Sequence, residues 1–163
     1  MESVITSEAR HVIDEVSRLL GECFPFDALV MRLSQWREQP IRFIEDRPQP
    51  GIDGYCAPLR DCDVVATRPG FSADRKQTVQ LHELAHILAG HIPLGKDDPD
   101  TPTYQEFMAD PELRRRYVLC RENGSVRDAY REQVIETIAA LLQEAILRYE
   151  TEIPMMVRRM YGY

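Results

Sequence analysis

Two histidines flank a glutamate in His82-Glu83-Leu84-Ala85-His86, and three of the 4 histidines in the chain fall between positions 82 and 91. Neutral imidazole is a ligand for zinc, and a carboxylate beside a metal-bound water can take its proton. On a helix turning by about 100° per residue, His82 and His86 project from one face, about 6 Å apart along the axis. Both rings then reach one tetrahedral ion, with Glu83 beside the pair and free of the metal. Leu81, Leu84, Ala85 and Leu88 form the opposite stripe, which buries the helix. A closed structural zinc site usually draws on cysteines, and none lies near this motif.

A catalytic zinc site needs a third protein ligand and keeps one position open. His91 is the first candidate, but the pattern His-Glu-x-x-His-x-x-Gly-x-x-His requires glycine at 89 and histidine at 92, where this chain has Ala89 and Ile92. His91 therefore reads as a residue just past the helix C-terminus, where an imidazole suits the helix dipole. A carboxylate from another helix is the alternative. Asp128, Glu132 and Glu136 recur at four-residue spacing on one face of the last long helix, while Val134, Ile135, Ile138, Leu142 and Ile146 cover another. Alone, such a row reads as a solvated face. With the motif upstream, one of the three becomes the expected ligand, and a neighbour one turn away is placed to orient a ligating group.

These side chains need elements to hold them. Apolar spacing predicts a helix over 6–22, ending near Gly21, and a second one capped by Asp27, using Leu29, Val30, Leu33 and Trp36 and stopping before Pro40. Short strands are expected at 41–45, 55–57 and 63–67, punctuated by Pro48, Pro50, Gly51 and Gly54. The motif helix is expected over 74–88, capped by Ser72 or by Asp74 with Gln77 as a capping box, and stopped by Gly90. Residues 93–103 read as a solvent loop, 104–119 as helical, and Asn123-Gly124-Ser125 as a loop before a final helix over 128–149. Within the variable region over 93–125, the 93–103 loop and the segment up to Gly124 are long enough to cover or shape a cleft beside the motif helix, which would restrain activity on unfolded proteins. Met155, Met156 and Met160, in the tail over 154–163, are available to dock on the core. The order of elements points to an α+β fold, a single domain over 1–163 with a small sheet.

A length of 163 residues suits one domain. The longest apolar stretches, 84–90 and 138–142, fall far short of the roughly 20 residues that span a bilayer. With 27 acidic against 20 basic residues, no global positive field gathers phosphate backbones, which disfavours direct nucleic-acid binding. Met1-Glu2-Ser3-Val4-Ile5 has neither the basic nor the apolar region of a signal peptide, so a cytoplasmic location is expected. Cys23, Cys56, Cys62 and Cys120 are scattered without a Cys-x-x-Cys pair and read as small buried thiols in a reducing compartment.

The run His82-Glu-Leu-Ala-His86-Ile-Leu-Ala-Gly-His91, preceded by Phe24-Pro-Phe-Asp27, Gln39-Pro-Ile-Arg42, Gly54 and Asp61-Cys-Asp63, resembles the short bacterial ImmA/IrrE-type metallopeptidases. The resemblance covers about residues 24–92 and 128–148. The downstream Glu-x-x-Ala-(Asn/Asp/Glu) helix of that family is matched by Glu132-Gln-Val-Ile135-Glu136, with Ile135 in place of the usual alanine. The resemblance implies a zincin-like fold in which the motif helix packs under a small sheet. It implies Zn²⁺ held by His82, His86 and Glu132, with Glu136 as the alternative third ligand, and Glu83 as the catalytic base. Tyr130 and Tyr55 are candidate oxyanion donors.

The biology implied is that of a zinc endopeptidase that cleaves or counteracts a helix-turn-helix repressor, often encoded nearby, with any DNA-binding partner acting in trans. Two other classes fit the same residues. A zincin-fold binding module would sequester a regulator uncut and would not need Glu83. A toxin of a two-gene toxin–antitoxin system would arrest growth when expressed alone.

Overall fold

A computed structural model describes residues 2–124 and 129–161. In chain order the elements are α1 (Glu2–Leu20), α2 (Phe26–Arg37), β1 (Ile41–Glu45), β2 (Gly54–Pro58), β3 (Asp63–Thr67), α3 (Ala73–Leu88), a 3-10 turn (Gly95–Asp97), α4 (Tyr104–Ala109), α5 (Pro111–Gly124) and α6 (Ala129–Tyr161). The fold is mixed α+β, about 62% helical around one three-stranded sheet.

Strand β3 is central, parallel to β1 and antiparallel to β2. Its residues Asp63-Val64-Val65-Ala66-Thr67 are buried throughout, as a strand covered on both faces must be. Alternation divides the side chains between two layers. Val65 joins Ile41, Phe43 and Cys56 on the face packed against α1, α2, α3 and α6. Val64 and Ala66 join Tyr55 and Ala57 on the other face, beneath Phe107 of α4 and Tyr117 of α5. Helix α3 lies directly on the sheet, and Gly54 permits the approach: a Cβ there would stand 2.5 Å from Val79 Cγ1. On its other side α3 packs antiparallel to α6, with Gln77 against Gln143 at one end and His86 against Glu132 at the other.

The chain leaving α3 is gripped at once. Arg37, at the end of α2, donates through Nε and Nη2 to both carboxylate oxygens of Asp63 at 2.7 Å, and through Nη1 to the carbonyl of Ile92 at 2.7 Å. Burial alone would lower the guanidinium pKa, but the hydrogen bonds and charge of Asp63 more than offset it and raise the value. From there the chain rounds the β2–β3 turn. Arg60 binds the carbonyl of Thr101 at 2.8 Å and Asp61 accepts from the backbone of Tyr104 at 2.8 Å, so α4 and α5 land on the far face of the sheet.

Several expectations need correction. Residues 93–117 do not shape a cleft beside the motif helix; Arg60 and Asp61 carry them to the opposite face. The helical segment expected over 104–119 is two helices, because the residue before a proline is driven out of the helical region and Asp110 sits at φ −120, ψ 97 before Pro111. Asp110 Oδ1 then caps α5, accepting from Glu112 N at 3.0 Å and Leu113 N at 3.1 Å. Helix α5 runs to Gly124, so Asn123 and Gly124 are helical in place of the expected loop; Ser125 and Asp128 lie outside the described residues.

Helix α1 begins four residues before the expected start, since Ile5 extends its buried stripe. Pro25, not Asp27, occupies the N-cap of α2; Asp27 lies in the first turn, where its charge suits the dipole. Trp36 is 60% exposed, its position falling outside the buried stripe of Leu29, Leu33 and Arg37. Ser72, not Asp74, caps α3, accepting from Arg75 N at 3.3 Å, so Gln77 has no capping partner and meets Gln143 instead.

Helix α6 continues through Pro154 to Tyr161, although an interior proline removes an N–H from the ladder and crowds the carbonyl four residues back. Met160 is 78% exposed and does not dock; the side chains of Met155, Met156 and Cys120 lie outside the described residues. Cys62 is buried, and burial pushes its thiol up to about 12; Cys23 and Cys56 are half-buried, and none of these three is in a disulfide.

Replacing Asp63 by alanine strands a buried guanidinium, which typically costs about 3–5 kcal/mol. Urea denaturation of Asp63→Ala should show a loss of that order; a loss below about 1 kcal/mol would mean that the pair does not anchor this layer.

Candidate metal centre

The antiparallel contact of α3 and α6 brings His82, His86 and Glu132 together. His82 Nε2 stands 3.5 Å from Glu132 Oε2, and His86 Nε2 stands 3.6 Å from Glu132 Oε1. One ligand atom from each residue lies within 4.8 Å of the other two, and these residues form the metal-ligand cluster found among the described residues. Donors about 2.0–2.1 Å from a tetrahedral ion stand roughly 3.4 Å apart, so the His–Glu separations need little adjustment. Two imidazole nitrogens and a carboxylate oxygen are a donor set that zinc accepts with one position left open. Side-chain exposures of 29% for His82, 16% for His86 and 25% for Glu132 leave that position accessible from solvent.

Local sequence sets each orientation. Leu81, Leu84, Ala85 and Ile87 are buried and fix the rotation of α3, which leaves His82 and His86 on the face toward α6. Glu83, 9% exposed, occupies the seam between that face and the buried stripe. On α6, Val134, Ile135, Ile138 and Leu142 are buried, and Glu132 emerges at the border of their stripe. Ile135, where the resembled family has alanine, is fully buried and belongs to this packing. Glu136 is exposed, one turn further along, and lies outside the cluster. It lines a shallow pocket of about 230 Å³ beside His82, with Thr78, Leu81, Ala139, Ala140 and Gln143 as the other walls.

Both expected oxyanion donors give their hydroxyl protons to carboxylates outside the cluster. Tyr55 faces the opposite layer and donates to Asp46 Oδ2 at 2.5 Å; burial, then that hydrogen bond, pushes its phenol well above the ordinary tyrosine value. Tyr130 is two residues from Glu132, hence on a different side of α6, and donates to Glu8 of α1 at 2.7 Å.

His91 also meets the cluster, through His86. Helix α3 ends in a Schellman motif. Gly90 takes φ +73, its N–H donates to the carbonyl of Ile87 at 3.1 Å, and His91 N–H donates to the carbonyl of His86 at 3.0 Å. This reversal folds His91 back over His86, with Nδ1 3.2 Å from Nδ1. Burial and the charge of Arg131 lower the His91 pKa against the opposing effect of Glu132 and Glu8. The signal was present in Gly90, since a glycine at that position brings the next residue back toward the one five earlier.

Set against known proteins, the chain matches no family model and no curated protein.

Zinc titration by chelator competition should rank the carboxylates. Glu132→Ala, like His82→Ala or His86→Ala, is expected to weaken binding by more than about 100-fold, whereas Glu136→Ala stays within the about 10- to 100-fold range of an outer partner or below it. A larger loss from Glu136→Ala would reverse the assignment.

Proposed function

We propose that the chain is a zinc-dependent endopeptidase with a zincin-like fold, acting on a regulatory protein partner. The observation that carries this reading is the convergence of His82, His86 and Glu132 from two helices, with Glu83 in the seam beside them. His82 and His86 would bind zinc through Nε2 and Glu132 through its carboxylate. When bound, zinc polarises a scissile carbonyl and makes a water acidic enough to be deprotonated near neutral pH.

Glu83 accepts the proton from the attacking water and returns it to the leaving amine, which completes hydrolysis with atoms and charge balanced. Its position in the helix allows this. One residue after His82 and three before His86, it points some 60° from the His86 direction, near enough to reach the open position without occupying the metal.

The nature of the substrate rests on the resemblance to ImmA/IrrE-type metallopeptidases, which points to a helix-turn-helix repressor encoded nearby. The acidic balance of the chain is in keeping with a protein partner rather than direct nucleic-acid contact. Among the described residues no helix is long and apolar enough to cross a membrane.

The test is cleavage of the neighbouring gene's regulator, followed by mass spectrometry of fragments. Wild type with zinc should yield discrete fragments, and Glu83→Gln should keep zinc and partner binding while losing cleavage by about 10²-fold or more. Identical fragments from both proteins, or a tight complex with no fragments, would favour a binding module instead.

A further inference from the structure

We infer that His91 is a positioning residue of the metal centre: its imidazole accepts, at Nδ1, the Nδ1–H of His86 and so fixes the tautomer and ring plane that aim His86 Nε2 at the metal. The inference rests on the zinc site proposed above and adds a residue to it.

The Nδ1 atoms of His86 and His91 are 3.2 Å apart, a hydrogen-bond distance that requires one proton between two nitrogens. His86 turns its other nitrogen, Nε2, toward Glu132 at 3.6 Å. A histidine that gives Nε2 to a metal keeps its proton on Nδ1, so His86 is the donor and His91 the acceptor. His91 must then be neutral and carry its own proton on Nε2. Ligating histidines generally donate their remaining N–H to a carboxylate, a carbonyl or water. Here an imidazole takes that role.

The geometry excludes two simpler readings. His91 is not among the residues whose ligand atoms converge, which are His82, His86 and Glu132, and its Nδ1 meets His86 at the ring nitrogen opposite the one facing Glu132. Nor is the contact a ring stack. The centroids are 5.4 Å apart with planes inclined at 51°, while the two nitrogens are at bonding distance. The placement is built into the backbone, since Gly90 and the His91 N–H to His86 carbonyl bond return His91 to the residue it orients.

Two isosteric variants separate the hydrogen bond from packing. Asparagine puts a carbonyl oxygen near the Nδ1 position of histidine, and leucine fills the same space without an acceptor. Zinc affinity by chelator competition is expected to fall about 10- to 100-fold in His91→Leu. His91→Asn should stay within about 3-fold of wild type. The visible ligand-field bands of bound Co²⁺ should shift in His91→Leu and be restored in His91→Asn.

Nitrogen-15 NMR of zinc-loaded wild type reads the tautomers without any variant: His91 should be protonated at Nε2 and His86 at Nδ1. Equal affinity in all three proteins, equal loss in both variants, or a His91 protonated at Nδ1 overturns the inference while leaving the zinc site standing. Absence of stoichiometric zinc in wild type instead overturns the site itself.

Discussion

The antiparallel packing of α3 on α6 decides which residues can share an ion. Each helix presents a buried stripe, with Leu81, Leu84, Ala85 and Ile87 on one and Ile135, Ile138, Leu142 and Ile146 on the other. Filling both stripes fixes rotation as well as register. A slip of one turn, about 5.4 Å, would put Glu136 where Glu132 now faces His86. The grouping of His82, His86 and Glu132 is therefore a consequence of core packing, and Ile135, next to the acidic row, is part of what holds it in register. Neither helix alone forms a site; the histidines supply one edge and the carboxylate the other.

Two features at the end of α3 keep that edge in place. The Schellman turn at Gly90 closes the helix and returns His91 to the back of His86. Immediately beyond, Arg37 holds the Ile92 carbonyl while its remaining donors clasp Asp63 at the start of β3. The chain is thus tied to the sheet within six residues of His86, and a left-handed glycine spares the turn the roughly 1–2 kcal/mol that another residue would cost there. The Arg37 clasp also directs the chain toward the β2–β3 turn, which explains why α4 and α5 cover the opposite face of the sheet.

Much of this was legible in the sequence because it depends on local periodicity. Strands 41–45 and 63–67 fall on β1 and β3, and the motif helix ends at Leu88 as Gly90 signals. His82 and His86 stand out through helical spacing, the acidic row Asp128, Glu132 and Glu136 offers the third donor, and the family resemblance selects Glu132; the structure brings His82, His86 and Glu132 together. What spacing could not convey is direction across the fold. Tyr55 is an apt oxyanion donor by type, yet one step of strand alternation sends it to the far layer and to Asp46. The route of residues 93–103 depends on Arg60 and Asp61, which only the folded sheet brings near. His91 falls one position short of a ligand pattern, and what it meets in the fold is His86, a member of the candidate cluster.

Zinc K-edge X-ray absorption on the purified, zinc-loaded protein tests the central claim most directly. The spectrum should fit nitrogen and oxygen donors alone, at about 2.0–2.2 Å, with the multiple-scattering signature of two imidazoles. A sulfur shell at about 2.3 Å, or the signature of fewer than two imidazoles, would contradict a centre built from His82, His86 and Glu132.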